Sequence, residues 1–472
     1  MFRVFKHYLP LSVSLLALLE SMFFFALIHA LYKTQPHILF LSDGPGIPDF
    51  GASVLLTTIW FLCFAALGLY NRDIFVDRRQ FFARGSLAAV LTVLAMFVAM
   101  QIYGVTNVSY PRWYFAAATV AVVMQVGLVF TLRHGFMLAT GLDLFKRRVL
   151  IVGDDDQANR LRGFFAGRGN RNLVLVEQVG RSASAFAASS APGSPPPASF
   201  PNDVSPLLAR AKALQVDEIV VAAADRRGFP AWDLLACRIR GIAVTDYLTF
   251  LERETGRVDL KAVRPTWMAL ADGFSQDFSH RFVKRAFDVV VSSLILLLTL
   301  PITLVVALLV KLSSPGPVLY RQVRIGQHGK PFEILKFRSM RDGAEQGRPT
   351  WATSDDARVT PIGKFIRKCR VDEIPQVVNV LKGEMSFVGP RPERPFFVEQ
   401  LADEIPLYGI RHNVKPGITG WAQINYPYGA SVDDAREKLA YDLYYVKNAS
   451  IFLDFIILLQ TVRVVLMLIG SR

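Results

Sequence analysis

The chain has 472 residues, 52% of them hydrophobic with 35 phenylalanines, and a formal net charge of +14. That apolar content excludes a simple soluble enzyme. With no finger, zinc-knuckle or recognition-helix pattern, the positive charge points to anionic headgroups and phosphorylated substrates rather than nucleic acid.

Four apolar runs, at about 9–32, 51–70, 83–105 and 112–133, are each long enough to cross a hydrocarbon core of about 30 Å. No small-residue cleavage pattern follows the first, and three more spans come after it, so it is not read as a signal peptide. Arg3 and Lys6 precede the first run, Arg72, Arg78 and Arg79 separate the second and third, and Arg133, Lys146, Arg147 and Arg148 follow the fourth. The other two connections carry little positive charge. Positive-inside bias therefore predicts a four-helix transmembrane region over 1–140, with the N terminus and everything after the fourth span in the cytoplasm. Glu20 is the one acid within the first run, and an isolated carboxylate does not make a transport path.

The stretch RRVLIVGDDDQANRLRGFF (147–165) reads as a buried strand, a turn at Gly153 and a helix. Further strands are predicted at 173–179, 216–223 and 241–246. This alternation predicts a parallel sheet in a Rossmann-like α/β middle domain, 145–265. A dinucleotide site needs several glycines to bring the backbone to a pyrophosphate. Only Gly153 is present, and Asp154, Asp155 and Asp156 fill the turn and would repel phosphate, so the domain is read as structural or regulatory. The Pro-, Ser- and Ala-rich segment 182–201 is expected to be a flexible surface insert.

Residues 286–310 are apolar apart from Asp288 and a few hydroxyls, long enough for a fifth span. Pro301 near the middle removes a helical hydrogen bond. Lys284 and Arg285 stand before the run, and Lys311 with several further basic residues after it. Crossing would strand that charge outside, so a re-entrant hairpin over 284–312 is expected.

From 321 to 371 there are twelve Lys or Arg against five Asp or Glu. The stretch 336–360 mixes these cations with Gly, Ser, Thr and Trp351, as a loop around an anionic ligand would. Two helices then meet at Asp372–Glu373. Asp372 as a helix cap and Glu373 as a first-turn acid are one reading of the pair; chemistry on a phosphate is the other. Favouring chemistry are Arg367, Lys368 and Arg370 before the pair, and Arg391 between Pro390 and Pro392, where restricted backbone suits an arginine fork. A carboxylate attacking phosphate needs its like-charge repulsion offset by cations or a divalent ion such as Mg²⁺. Cys369 is read as a bystander thiol. The three cysteines, Cys63, Cys237 and Cys369, have neither disulfide nor zinc-ligand spacing. The segment 411–429 adds Lys415 and the aromatic residues Trp421, Tyr426 and Tyr428, which suit a nucleotide or sugar pocket; core packing explains Trp421 equally well. The tail 441–470 reads as packed or interfacial helices.

The motifs KFRSM (336–340), DEIPQVVNVLKGEMSFVGPRPE (372–393), KPGITGWAQIN (415–425) and YDLYYVKN (441–448) resemble those of the bacterial sugar transferases that are monotopic phosphoglycosyl transferases. With the four spans and the middle domain, the whole chain resembles the long polyprenyl-phosphate glucose- or galactose-phosphotransferases of exopolysaccharide and O-antigen initiation. The resemblance implies a mainly α catalytic domain over 280–472. It makes Asp372 the nucleophile and Glu373 its partner at an Mg²⁺ site, attacking a UDP-sugar, releasing UMP and passing the sugar phosphate to undecaprenyl phosphate. Lys336, Arg338, Arg358 and Arg367 are candidate phosphate or nucleotide contacts, as are Arg370, Arg391, Lys415 and Trp421. The family's hairpin breaks near its middle, matching Pro301, although Leu300 stands where a serine often precedes that proline. A bacterial inner-membrane location, lipid contact and a possible homodimer through the middle domain complete the expectation. Glucose is the expected sugar, ahead of galactose and N-acetylated hexoses.

Overall fold

The structure, a computed structural model, describes residues 2–4, 7–9, 11–34, 49–70, 78–103, 122–133, 135, 146–167, 173–180, 205–225, 230–271, 273–274, 278–341, 358–427, 429 and 431–467. It is a mixed α/β chain with several apolar helices. Residues 129–265 form one compact unit, and residues 1–128 with 266–472 form another.

In the N-terminal part, helices Leu11–Thr34, Asp49–Ala66 and Arg78–Tyr103 follow the apolar runs. Val13–Ala30 and Gln80–Ala99 are long and apolar enough to cross a bilayer, whereas Ser53–Ala66 and Val122–Arg133 are shorter apolar helices. Residues 112–121 of the fourth predicted run lie outside the described residues. Aromatic packing joins the first two helices, with Phe24 stacked on Trp60 at 5.1 Å between ring centres. Glu20 is buried, and its backbone oxygen accepts from Gln125 Nε2 at 3.3 Å.

The unit 129–265 holds a four-stranded all-parallel sheet in the order Leu173–Val179, Arg147–Val152, Glu218–Val221, Ala243–Asp246. Parallel neighbours need crossovers, which run through helices Asp156–Ala166, Pro206–Ala213 and Ala231–Ile239. Val149 to Val152 are all buried because the central strand is covered on both faces. At the turn after this strand, Asp155 Oδ1 accepts from the backbone N–H groups of Gln157 and Ala158, and Oδ2 from that of Ala224 at 2.6 Å. The carboxylate therefore takes up the amide donors that a phosphate would need at this helix start. The segment 182–201 lies outside the described residues.

In the C-terminal part, one helix, Phe278–Ser313, contains Pro301. Drawn straight, its 36 residues would reach about 54 Å, well beyond a bilayer core. Pro301 cannot donate to the Leu297 carbonyl, and Thr299 Oγ donates back to the Ile295 carbonyl at 2.7 Å, two features that favour bending. Val290, Leu297, Leu298, Leu304, Leu308 and Leu312 are exposed along it.

The two ends of this helix pack on different elements, which are themselves joined. At its start, Arg285 donates to the carbonyls of Val380 and Leu381 at 2.6 and 2.7 Å, at the end of helix Gln376–Lys382. Buried Asp288 accepts from the Phe387 backbone and the Ser386 hydroxyl, each at 3.0 Å. Toward its end, Val306 and Val310 pack with Phe337 and Ile366. Arg338 then donates to the carbonyls of Ser314 and Pro315 at 2.7 and 2.8 Å. Strand Pro331–Phe337, antiparallel to Leu319–Ile325, is tied to helix Gln376–Lys382 through Leu335 N–H and Asn379 Oδ1 at 3.0 Å.

Two short parallel strands, Ser386–Val388 and Gly417–Thr419, lie beneath the last helices, Val432–Asn448 and Ile451–Leu466. These helices begin where the sequence supplies caps: Ser431 with Asp434 forms a reciprocal capping box, and Ser450 accepts from Leu453 N–H. The tail is thus helical and partly packed, with Leu453, Asp454 and Ile457 buried and Phe455, Val462 and Leu466 exposed.

Candidate active site

Helix Pro361–Lys368 starts at Thr360, whose hydroxyl accepts from Gly363 N–H, and has Pro361 in its first turn. It ends at Cys369, a free and partly buried thiol. Arg370 then takes a left-handed conformation (φ 59°), which turns the chain into the single 3₁₀ turn Val371–Glu373. The next helix, Gln376–Lys382, begins after Pro375 with no side-chain cap. Asp372 therefore caps nothing, and the capping reading of this residue is corrected: the cap position of the helix is Pro375, and Asp372 lies in the 3₁₀ turn before it.

Asp372 is only 8% exposed, and among the described residues no hydrogen bond reaches its carboxylate. Glu373 Oε1 accepts from Lys336 Nζ at 2.9 Å and from Arg391 Nη2 at 2.7 Å. The neighbours therefore differ in charge state. Burial and the adjacent Glu373 charge push Asp372 up to about 6, against the pull of Lys336, Arg367 and Arg391. Burial also opposes the charge on Glu373, but Arg391 and Lys336 overcome it and hold the carboxyl well below its ordinary range. Burial lowers Lys336, offset in part by Glu373. At neutral pH both carboxylates are ionised; one is matched by two cations, and the other is left for a ligand.

The candidate contacts divide accordingly. Lys336 and Arg391 meet on Glu373, and Arg367 lies close enough to act on Asp372. Arg370 supplies the turn. The Arg358 carbonyl accepts from Arg341 N–H at 3.0 Å, beside the bridge between Met340 and Val359. Arg338 is spent on the end of the long helix. Lys415 lies against Gly383 and Arg285, where burial and the Arg285 charge lower its pKa. Trp421 is buried and stacked on Tyr444 at 5.7 Å. The structure thus does not bring Arg338, Lys415 or Trp421 to the acidic pair.

The loop carrying Arg391 is held through its carbonyls. Pro390 and Pro392 have no N–H, so carbonyls are the groups by which the backbone here can be fixed. Pro390 O accepts from Gly417 N–H at 2.9 Å, Arg391 O from Arg411 Nη2 at 2.8 Å, Pro392 O from Arg324 Nη1 at 3.2 Å, and Glu393 O from Ile325 N–H at 2.9 Å. Gly417 is required by this packing, because a Cβ there would lie 2.1 Å from the Gly389 nitrogen. Arg324 and Arg411 are absent from the sequence-based set; Arg411 heads the RHNVKPGITGW stretch, but nothing local distinguishes it from a surface cation.

Hard oxygen donors at a phosphate site suit Mg²⁺, which needs few protein ligands when phosphates supply the rest. Among the described residues no group of three or more His, Cys, Asp or Glu forms a metal cluster. The Asp372 carboxylate and the second oxygen of Glu373 fit such an ion, since cations already occupy Glu373 Oε1.

An ionised carboxylate among cations, at the foot of a long apolar helix, defines a site suited to phosphate chemistry beside a membrane. The sequence model of the family described as bacterial sugar transferase matches residues 279–468. The chain is 45% identical over 194 residues to the uncharacterized sugar transferase EpsL of Bacillus subtilis (strain 168), covering 40% of this chain and 90% of that protein. It is 40% identical over 262 residues to the UDP-N-acetylgalactosamine-undecaprenyl-phosphate N-acetylgalactosaminephosphotransferase of Aeromonas hydrophila, covering 55% of this chain and 61% of that one. It is 47% identical over 185 residues to the UDP-glucose:undecaprenyl-phosphate glucose-1-phosphate transferase of Escherichia coli (strain K12), covering 39% and 40%. The chain belongs to the bacterial sugar transferase family. The matches to the last two relatives span less than two thirds of their length.

Proposed function

We propose that the chain transfers a hexose 1-phosphate, glucose 1-phosphate first, from a UDP-sugar to undecaprenyl phosphate. The products are undecaprenyl-diphosphate-sugar and UMP, and the step starts an exopolysaccharide or O-antigen chain. The observation that carries this reading is the Asp372 carboxylate, ionised near neutral pH and free of hydrogen bonds among the described residues, beside a Glu373 already matched by Lys336 and Arg391. The relatives' names support the donor and acceptor classes.

An Asp372 oxygen attacks the sugar-bearing phosphorus of the donor; the bond from that phosphorus to the UMP oxygen breaks, and UMP leaves. The resulting aspartyl phosphosugar is attacked at the same phosphorus by a phosphate oxygen of undecaprenyl phosphate, which releases the Asp372 carboxylate. Lys336 and Arg391 keep Glu373 from repelling the donor and stabilise charge on the phosphoryl oxygens as it develops. Arg367 assists from the helix before the turn. Mg²⁺ held by Asp372 and Glu373 would supply further charge neutralisation on the diphosphate.

Phe278–Ser313 is read as a re-entrant hairpin bent at Pro301. Basic residues at both ends and the packing of the two ends on elements that are joined to each other support this. It brings the acceptor's lipid tail near Asp372. The N-terminal helices are read as four spans of a bacterial inner membrane, with the site in the cytoplasm. The parallel sheet is read as a Rossmann-like assembly domain that pairs two copies. The name of the Aeromonas relative favours a second donor reading, a UDP-N-acetylhexosamine; UDP-galactose is a third.

The test is UMP release by nanodisc-held protein with undecaprenyl phosphate and Mg²⁺, using UDP-glucose, UDP-galactose and UDP-N-acetylgalactosamine in parallel. Lipid-dependent UMP release that Asp372→Asn abolishes is the expected result. Release of UDP would mean direct glycosyl transfer and would sink the mechanism. Activity with another donor alone would change only the sugar.

A further inference from the structure

Arg411 is a buried arginine 38 positions beyond the acidic pair and outside the substrate contacts proposed above. Both terminal nitrogens of its guanidinium are engaged. Nη1 donates to the Tyr408 hydroxyl at 2.6 Å, while Nη2 lies 2.9 Å from Asp442 Oδ2 and donates to the Arg391 carbonyl at 2.8 Å. Burial opposes its charge, but Tyr408 and Asp442 more than compensate. Its Nε is buried with no hydrogen-bond partner among the described residues. An unpaired buried donor is costly, so the guanidinium reaches the Arg391 carbonyl at the expense of one of its own N–H groups.

The consequence lies in Arg391. Its side chain donates to Glu373 Oε1 at 2.7 Å, and its charge is one of those that lower Asp372. The carbonyls on either side of it, Pro390 O and Pro392 O, are held by Gly417 and Arg324, and its own carbonyl by Arg411. A one-ångström error in a group acting on a reaction centre costs on the order of a hundredfold in rate. Resting on the phosphoglycosyl transferase reading, we infer that Arg411 is a positioning residue: through the Arg391 carbonyl it fixes the guanidinium of Arg391 on Glu373 and over the reacting phosphate. Asp442, on helix Val432–Asn448, orients Arg411 in turn.

Arg411→Lys tests this because it keeps the charge and removes the two-pronged donor. In UMP-release assays normalised to folded protein, it lowers kcat on the order of tenfold to a hundredfold. The loss falls on kcat while KM for the UDP-sugar holds, because Arg391 acts on the reacting phosphate rather than on donor binding. On an Arg391→Lys background the same substitution adds nothing further. Tyr408→Phe removes a different bond of the same arginine; it lowers the melting temperature and leaves kcat unchanged. Equal losses from Arg411→Lys on both backgrounds, or an unchanged kcat, would overturn the inference and leave Arg411 a fold residue. If Arg411→Lys does not fold, Asp442→Asn gives a smaller change in the same direction, and no change there overturns it equally. Should the wild type turn over no UDP-sugar, the transferase reading fails by itself. Electron cryomicroscopy of wild type and Arg411→Lys then decides the positioning: Arg391 leaves Glu373 in the variant if the inference holds, and remains there if it does not.

Discussion

Lys284 Nζ lies 2.7 Å from Asp454 Oδ2, so the start of the long apolar helix is locked to the start of the last helix by a buried ion pair. The same ammonium lies 3.3 Å from Asp288 and donates to the Val388 carbonyl at 3.2 Å. The Tyr445 hydroxyl, 2.8 Å from Asp454 Oδ1, closes the cluster. Removing one member of a buried pair leaves an uncompensated charge and costs about 3–5 kcal/mol. Lys284→Met strands two carboxylates and is expected to lower the detergent-solubilised melting temperature more than Asp454→Asn. The double variant Lys284→Met with Asp454→Leu recovers part of the loss.

The rate of UMP release is expected to fall as pH drops through about 6, where the Asp372 carboxylate becomes protonated. The sign follows from the nucleophile: only the ionised form attacks, so activity is present above the folded-state pKa and lost below it. Glu373→Gln removes a neighbouring negative charge, so the acid limb of its residual activity moves to lower pH even as kcat falls. A limb that stays fixed in this variant would contradict the coupling between the two acids.

Arg338 and Lys336 are two positions apart in the KFRSM motif and have different roles. Arg338→Ala removes bonds to the Ser314 and Pro315 carbonyls. Hydrogen bonds from a charged donor contribute about 1.5–3 kcal/mol each, so the variant is expected to lose thermal stability while the KM for the UDP-sugar holds. Lys336→Ala is expected to do the reverse, with turnover lost and the fold kept. A raised KM in Arg338→Ala would instead return that residue to the substrate site.

Asp155 supplies three acceptor contacts to backbone donors at the turn of the parallel sheet. Replacing an N-cap of this kind by alanine costs about 0.5–2 kcal/mol. Asp155→Ala is therefore expected to destabilise the unit 129–265, read by hydrogen exchange in its helix Asp156–Ala166. Calorimetry with NAD⁺ is expected to give no heat of binding to the wild type. A saturable NAD⁺ signal would mean that the carboxylate can be displaced.

What the sequence made legible was local. Runs such as VLIV and EIVV declare buried strands by their richness in Val and Ile, and both are strands in the structure. The basic surroundings of Asp372 and Glu373 were also visible, since Arg367 and Arg391 stand close in the chain. Charge alone could not say which partner each cation takes. Arg338 reads as a phosphate ligand from composition, yet it is bonded to carbonyls 23 and 24 positions upstream. Arg411 reads as an ordinary surface cation, yet it is buried against Asp442 and Arg391. Both outcomes depend on tertiary contacts that leave no periodic trace. The capping role considered for Asp372 failed for a related reason: the chain makes a 3₁₀ turn at Val371–Glu373 and starts the helix only after Pro375, and neither boundary is marked locally.

The four tethered carbonyls from Pro390 to Glu393 bear on when the protein organises itself for chemistry. A cation on a loose loop must be gathered in during every catalytic cycle, with an entropy loss each time. Here the gathering is done once, as the chain folds, and the incoming diphosphate meets a charge already standing where it is needed.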